Sequence, residues 1–272
     1  MQVVTLLENE SEQKNLKPAH GLSLYIETYK HNILFDVGPN NYFIRNAKQL
    51  GVNLEEIDIL VISHGHFDHG SGLQKFLKIN KKAIIYVSKY AFDDHVKQKT
   101  NGYENIGIKQ PKQLDRFVFV EEDVFIDEEI TIYAKVPFVE SMIKDDKLKF
   151  YYNGRFIDEN FAHEIYLVVQ EEENTVLFSG CSHKGIENII DTLETEHAIS
   201  FTHIIGGYHF SHYDSFDFKQ TDYLTQLGHK FEQRQESKFY SCHCTGKDAY
   251  QQLKMIMRDK IQHIKTGDVI II

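Results

Sequence analysis

The run Leu60-Val61-Ile62-Ser63-His64-Gly65-His66-Phe67-Asp68-His69-Gly70 constrains this chain more than any other part of it. Its apolar opening reads as the end of a buried strand, and the glycine-flanked segment after it reads as a tight turn. His64, His66, Asp68 and His69 crowd into that turn. Imidazoles and a carboxylate gathered at a strand end repel and desolvate one another unless a cation lies among them, and this donor set suits zinc or iron(II). Residues two apart in an extended turn point the same way. His64 and His66 are therefore expected to share one ion, with Asp68 and His69 facing a second. Gly65 and Gly70 leave room for the turn. The plainer alternative, a solvated histidine-rich loop, fits poorly with the apolar strand that precedes it.

The rest of the chain reads as a scaffold of many short strands. Apolar or alternating runs fall at Val3–Leu7, Leu22–Thr28, Ile33–Phe35, Ile57–Ile62, Ala83–Val87, Ile130–Tyr133, Ile165–Val169, Val176–Phe178, Ile204–Ile205, Phe239–Cys242 and Val269–Ile272. Helical periodicity fits Phe43–Leu50, Leu73–Leu77, Ile186–Leu193, Tyr223–Phe231 and Ala249–Met257. Strands come first in pairs and then alternate with helices. This predicts an α/β (α+β) chain of two sheets with helices outside, rather than one doubly wound sheet. No Pro- or Ser-rich linker and no short repeat divides residues 1–272, so one domain is expected. Residues 136–161 show no sustained period and mix Lys144, Asp145, Asp146 and Lys147 with Phe138, Phe150, Tyr151, Tyr152 and Phe156. Either an insertion covering a pocket or a surface hairpin with an aromatic underside would look like this.

Composition narrows the function classes. A formal net charge of −10 argues against nucleic acid held on a basic surface, although a bound metal could still attract a phosphorylated small molecule. No apolar run reaches membrane-spanning length, and Met1–Leu7 followed by Glu8 lacks the regions of a signal peptide, so no membrane partner and a cytoplasmic location are expected. Three cysteines are too few for a disulfide framework, leaving metal binding or packing as their roles.

His-x-His-x-Asp-His after an apolar strand resembles the signature of the metallo-β-lactamase superfamily. The upstream Ile33-Leu34-Phe35-Asp36-Val37-Gly38 is similar to that superfamily's strand-Asp-x-Gly element, whose Asp buttresses the metal loop. Three later segments resemble the subgroup related to dihydropterin ribofuranosylaminobenzene phosphate synthase: Ser179-Gly180-Cys181-Ser182-His183, Gly206-Gly207-Tyr208-His209-Phe210 and Cys242-His243-Cys244-Thr245-Gly246. The resemblance implies a four-layer αββα sandwich with metals between the sheet edges.

It also implies site residues. Cys181 stands where relatives often place a bridging Asp, and metal ligation and small-residue packing are equally open to it. His183 and His243 are the implied later ligands, giving a metal set of His64, His66, Asp68, His69, Cys181, His183 and His243. His163 rivals His183, because the wider superfamily has a ligand histidine some twenty residues before the bridging position. Cys242 and Cys244 are read as packing. His209 is expected to face the pocket and stabilise developing charge, His212 to be exposed, and His20, His31, His95, His197, His203, His229 and His263 to be structural or surface residues.

Two divalent ions are implied, zinc by expectation, with iron and manganese compatible with the same donors. Such ions lower the pKa of a bridging water to near neutrality. Asp68 would then orient the hydroxide and His209 stabilise the breaking bond, giving hydrolysis of an ester, amide or phosphoester of a small molecule. The subgroup implies an alternative, a non-hydrolytic synthase-like reaction on a phosphorylated pterin-type substrate. A metal- or ligand-binding protein without turnover is the third reading.

Overall fold

The computed structural model describes residues 1–272. Two seven-stranded sheets carry the chain. The first runs, edge to edge, through Val269–Ile271, Gln2–Leu7, Ser23–Glu27, Asn32–Phe35, Ile59–Ile62, Ile84–Ser88 and Phe117–Val120. The second runs through Ile261–His263, Lys238–Ser241, His203–Gly206, Asn174–Ser179, Tyr166–Glu171, Ile130–Tyr133 and Val124–Phe125.

Side-chain alternation explains why they stack. In Ile59–Ile62 every residue is buried. Ile59 and Val61 join Leu24, Ile33 and Phe35 against Ile132, Leu167, Val169 and Phe178 of the second sheet. Leu60 and Ile62 point the other way, onto Phe43, Ala47, Leu73 and Phe76 of helices Tyr42–Gln49 and Leu73–Ile79. The outer face of the second sheet does the same, with Val168, Leu177, Ile204 and Phe239 packed on helices Ile186–His197, Phe218–Glu232 and Lys247–Met257. A strand buried on both faces must be apolar throughout, and each such side chain contributes roughly 1.5–3 kcal/mol of burial. The result is the expected αββα sandwich. No helix is long and apolar enough to cross a membrane.

Strand polarity places the site. Asn32–Phe35, Ile59–Ile62 and Ile84–Ser88 run parallel in one sheet, and Asn174–Ser179, His203–Gly206 and Lys238–Ser241 run parallel in the other. Ser179 lies in register with Gly206, and Gly206 with Ser241. Loops beyond the carboxyl ends of adjacent parallel strands must converge, as in other open α/β sheets. These loops begin at Asp36, Ser63, Gly180, Gly207 and Cys242.

A four-stranded antiparallel sheet covers this end, built from Arg155–Asp158, Leu148–Tyr152, His95–Lys99 and Gly102–Asn105. Half of it comes from the segment 136–161, which forms the hairpin of Leu148–Tyr152 and Arg155–Asp158 and contributes Phe138, Ile143 and Phe161 to the lining of a cavity. Lys184 Nζ donates to Val136 O at 2.9 Å and Asn188 Nδ2 to Pro137 O at 2.8 Å, holding the start of the segment. Asp145 pairs with Lys97 at 2.6 Å and His212 at 3.1 Å, holding its middle.

Candidate metal centre

His64, His66 and His183 bring one nitrogen each within 4.8 Å of one another, and all three side chains are buried. Nε2 of His64, Nε2 of His66 and both ring nitrogens of His183 have no hydrogen-bond partner. Burial pushes the pKa of each ring well below the ordinary histidine value, and neighbouring imidazoles push the same way. Buried, neutral, unpartnered nitrogens facing one another cost free energy unless something accepts their lone pairs. A divalent cation does so.

The second group lies beside the first. Asp68 Oδ2 is 3.2 Å from His243 Nε2 and 3.9 Å from His69 Nε2. The two Nε2 atoms are themselves 3.2 Å apart, and Cys181 Sγ is 3.2 Å from His69 Nε2. For donors about 2.1 Å from a tetrahedral ion the ligand–ligand separation is about 3.4 Å, so these spacings suit a shared cation. Burial opposes charge on His69, but Asp36 and Asp68 outweigh it and raise its pKa. The surroundings thus ask for positive charge at His69 Nε2, from a proton or a metal ion. Burial likewise opposes charge on Asp68, yet His69, His20 and His243 hold its carboxyl well below the usual range.

Each ligand-bearing turn is tied down by a buried carboxylate from elsewhere in the chain. Asp36 accepts from Ser63 N at 2.7 Å, Ser63 Oγ at 2.7 Å and His69 Nδ1 at 2.6 Å. Glu164 accepts from His183 N at 2.8 Å, Lys184 N at 3.1 Å and Tyr166 Oη at 2.7 Å. Glu8 accepts from His243 N at 2.7 Å, and Asn9 Oδ1 accepts from His243 Nδ1 at 2.9 Å. A proton fixed on Nδ1 leaves Nε2 of His69 and of His243 free for a metal, the usual second-sphere arrangement. Backbone strain collects here: Asp36, Ser182, His209 and His243 all have positive φ, at 61°, 56°, 54° and 50°.

The expected residues do converge. His163 adjoins them, but its Nδ1 accepts the Gly65 amide proton at 2.9 Å. Its Nε2 has no partner, and the ring groups with His66, His95 and Glu159, whose ligand atoms all lie within 4.8 Å of one another. His209 packs 4.1 Å from His183, ring centre to ring centre, and both its nitrogens lack partners. It lines a cavity of about 260 Å³ with Phe138, Ile143, Phe161, Tyr208 and His183. Cys242 is core, as expected, buried between the sheets. Cys244 is buried as well, and its sulfur groups with Cys181 and His243 within 4.8 Å.

Sequence reasoning missed Glu8, Asn9 and Glu164, which have no local motif. His95, read as structural or surface, is buried at the start of a strand of the covering sheet, pairs with Glu159 at 2.6 Å and groups with His66 and His163.

Comparison with known proteins agrees with this architecture. The sequence profile of the metallo-β-lactamase superfamily matches residues 16–139. The chain is 29% identical over 276 residues to 7,8-dihydropterin-6-methyl-4-(β-D-ribofuranosyl)-aminobenzene-5′-phosphate synthase of Methanocaldococcus jannaschii, covering 92% of this chain and 89% of that one. It is 27% identical over 271 residues to the uncharacterized protein MJ0448 of the same organism, covering 96% and 98%. The crystal structure of Tm1679, described as a metal-dependent hydrolase of the β-lactamase superfamily, superposes with a TM-score of 0.81 at 25% identity, covering 100% of this chain and 99% of that one. With the motif, the αββα layers and the strand-end histidines in place, the chain has the metallo-β-lactamase fold and is similar in sequence to that superfamily over residues 16–139.

Proposed function

We propose that the chain is a metal-dependent hydrolase acting on an ester, amide or phosphoester of a small molecule. The observation that carries this reading is the set of buried, neutral, unpartnered nitrogens of His64, His66 and His183, the last of which also lines the roofed cavity. These three residues would hold one divalent ion. Asp68, His69 and His243 would hold a second, with Cys181 between the two groups. Imidazole, carboxylate and thiolate donors together suit zinc, and also iron(II).

Bound divalent ions would supply Lewis acidity toward a water and toward the substrate's reacting oxygen. The chain's residues do the rest. Asp68 presents an acceptor that orients the attacking water. His209, with both nitrogens free, donates toward charge developing on the substrate. Phe138, Ile143 and Phe161 exclude bulk water from the reacting bond.

The similarity to a chain named as a synthase supports a second reading, a non-hydrolytic reaction on a phosphorylated pterin-like substrate. The cavity gives it little help, because its lysines are already engaged. Lys144 pairs with Glu140 and Asp146, and Lys149 with Asp158.

The test is metal analysis of protein purified without added metal, followed by a panel of ester, lactone, thioester and phosphodiester substrates. Two ions per chain are expected, with turnover that chelation abolishes and added metal restores. Absence of tight metal binding in wild type, or full metal content in both His64→Ala/His66→Ala and Asp68→Ala/His69→Ala, overturns the proposal.

A further inference from the structure

We propose that His20, which belongs to no motif, is an additional protein ligand of the second cation, brought to it by the N-terminal loop. The inference rests on the two-cation reading above.

His20 Nε2 lies 3.3 Å from Asp68 Oδ2, the same oxygen that is 3.2 Å from His243 Nε2 and 3.9 Å from His69 Nε2. The His20 ring sits 4.6 Å from that of His243. Four donors from three parts of the chain therefore gather here, three imidazole nitrogens standing 3.3, 3.2 and 3.9 Å from one carboxylate oxygen, near the tetrahedral ligand–ligand separation of about 3.4 Å. The other three are buried, whereas the His20 side chain is 64% exposed and closes the solvent face.

The loop is built to deliver this ring. Gly21 has φ +146°, and a Cβ there would lie 2.2 Å from the Asp68 carbonyl oxygen and 2.7 Å from Pro39 Cδ. Only glycine lets the chain pass this close to Asp68. Leu22 N donates to that carbonyl at 3.3 Å, fixing the passage. On the other side, Gly21 N donates to Asn9 Oδ1 at 3.1 Å, the oxygen that also accepts from His243 Nδ1 at 2.9 Å. One carboxamide thus sets the position of both rings. An incidental surface histidine needs neither the glycine nor the shared acceptor.

A ligand on a solvent-facing loop, held by backbone rather than by packing, can leave and return. The second ion should therefore exchange more readily than the first, with His20 setting its occupancy.

The experiment titrates metal-free wild type, His20→Ala and His20→Gln with cobalt(II), following visible absorption and calorimetry. In His20→Ala the first equivalent should bind as in wild type and the second about 10–100-fold more weakly, a change of the size produced by lost support at metal sites. Millimolar imidazole should restore the second site in His20→Ala, because the vacated position opens to solvent. The metal-free melting temperature should be unchanged, as expected for an exposed side chain. Equal binding of both equivalents in wild type and His20→Ala overturns the inference, including the case where turnover alone falls. So does a loss that imidazole does not restore. Failure of wild type to bind any ion tightly would instead sink the metal-centre proposal itself.

Discussion

Replacing Asp36 by Asn separates the support of the centre from its donors. The Asp36 side chain is fully buried and accepts from three groups, the amide and hydroxyl of Ser63 and Nδ1 of His69. Asn offers one acceptor oxygen and a new donor, so at least one of these three meets an N–H instead. Losing a hydrogen bond to a charged group costs roughly 1.5–3 kcal/mol, and the stranded buried donor about 1–3 more. A total near 3–5 kcal/mol should lower the metal-free melting temperature by roughly 6–15 °C. If the new amide faces His69, that ring turns its proton to Nε2 and withdraws its lone pair from the second group. Affinity for the second ion should then fall about 10–100-fold while the first is spared. Scanning fluorimetry of the metal-free protein and competition with a chromophoric chelator read the two effects separately. Ser63→Ala completes a cycle, and because both residues belong to one network the double variant should depart from additivity by about 1 kcal/mol or more. An Asp36→Asn protein with wild-type melting temperature and wild-type affinity for both ions would refute the reasoning.

Three further outcomes are expected. Gly65→Ala should cost about 1–3 kcal/mol and weaken the first site, since its Cβ would lie 2.4 Å from Ala91 O and 2.8 Å from His95 Nε2; thermal melts and metal titration check this. His209→Ala should keep metal content and melting temperature but lose about a hundredfold in turnover, the loss typical of removing one donor to developing charge. His203 has its pKa pulled from 6.5 to about 4, first by burial and then by Lys238. Between those values the unfolded chain takes up a proton that the folded chain refuses, so stability holds above pH 6.5 and falls as the pH drops toward 4. Denaturant melts of wild type against His203→Gln across that window should show about 1–2 kcal/mol of the loss removed by the substitution, after allowance for solvent screening.

The parts of this molecule legible in the sequence are those with a local cause. Strands buried on both faces, such as Ile59–Ile62, must be wholly apolar, and helices such as Ile186–His197 carry one apolar stripe, so both announce themselves. His64 to His69 are legible because one turn holds them. The covering sheet is another matter. Gly102–Asn105 is exposed at every residue and His95–Lys99 ends in Lys97, Gln98 and Lys99, so neither has an apolar period to detect. Glu8 and Asn9 were hidden for a different reason: they act on His243 from 235 and 234 residues away. His20 sits in a polar loop that only the folded chain lays against Asp68.

The left-handed backbone at Asp36, Ser182, His209 and His243 bears on how such a protein would respond to selection. An L-residue in that region costs about 1–2 kcal/mol relative to glycine's freedom there, and asparagine tolerates it better than serine or histidine. Evolving the chain for heat resistance alone would therefore reward glycine or asparagine at the very positions proposed to carry its chemistry. Libraries screened only for folding should lose His209 and His243 early, and a thermostable descendant that keeps both will have been under selection for turnover.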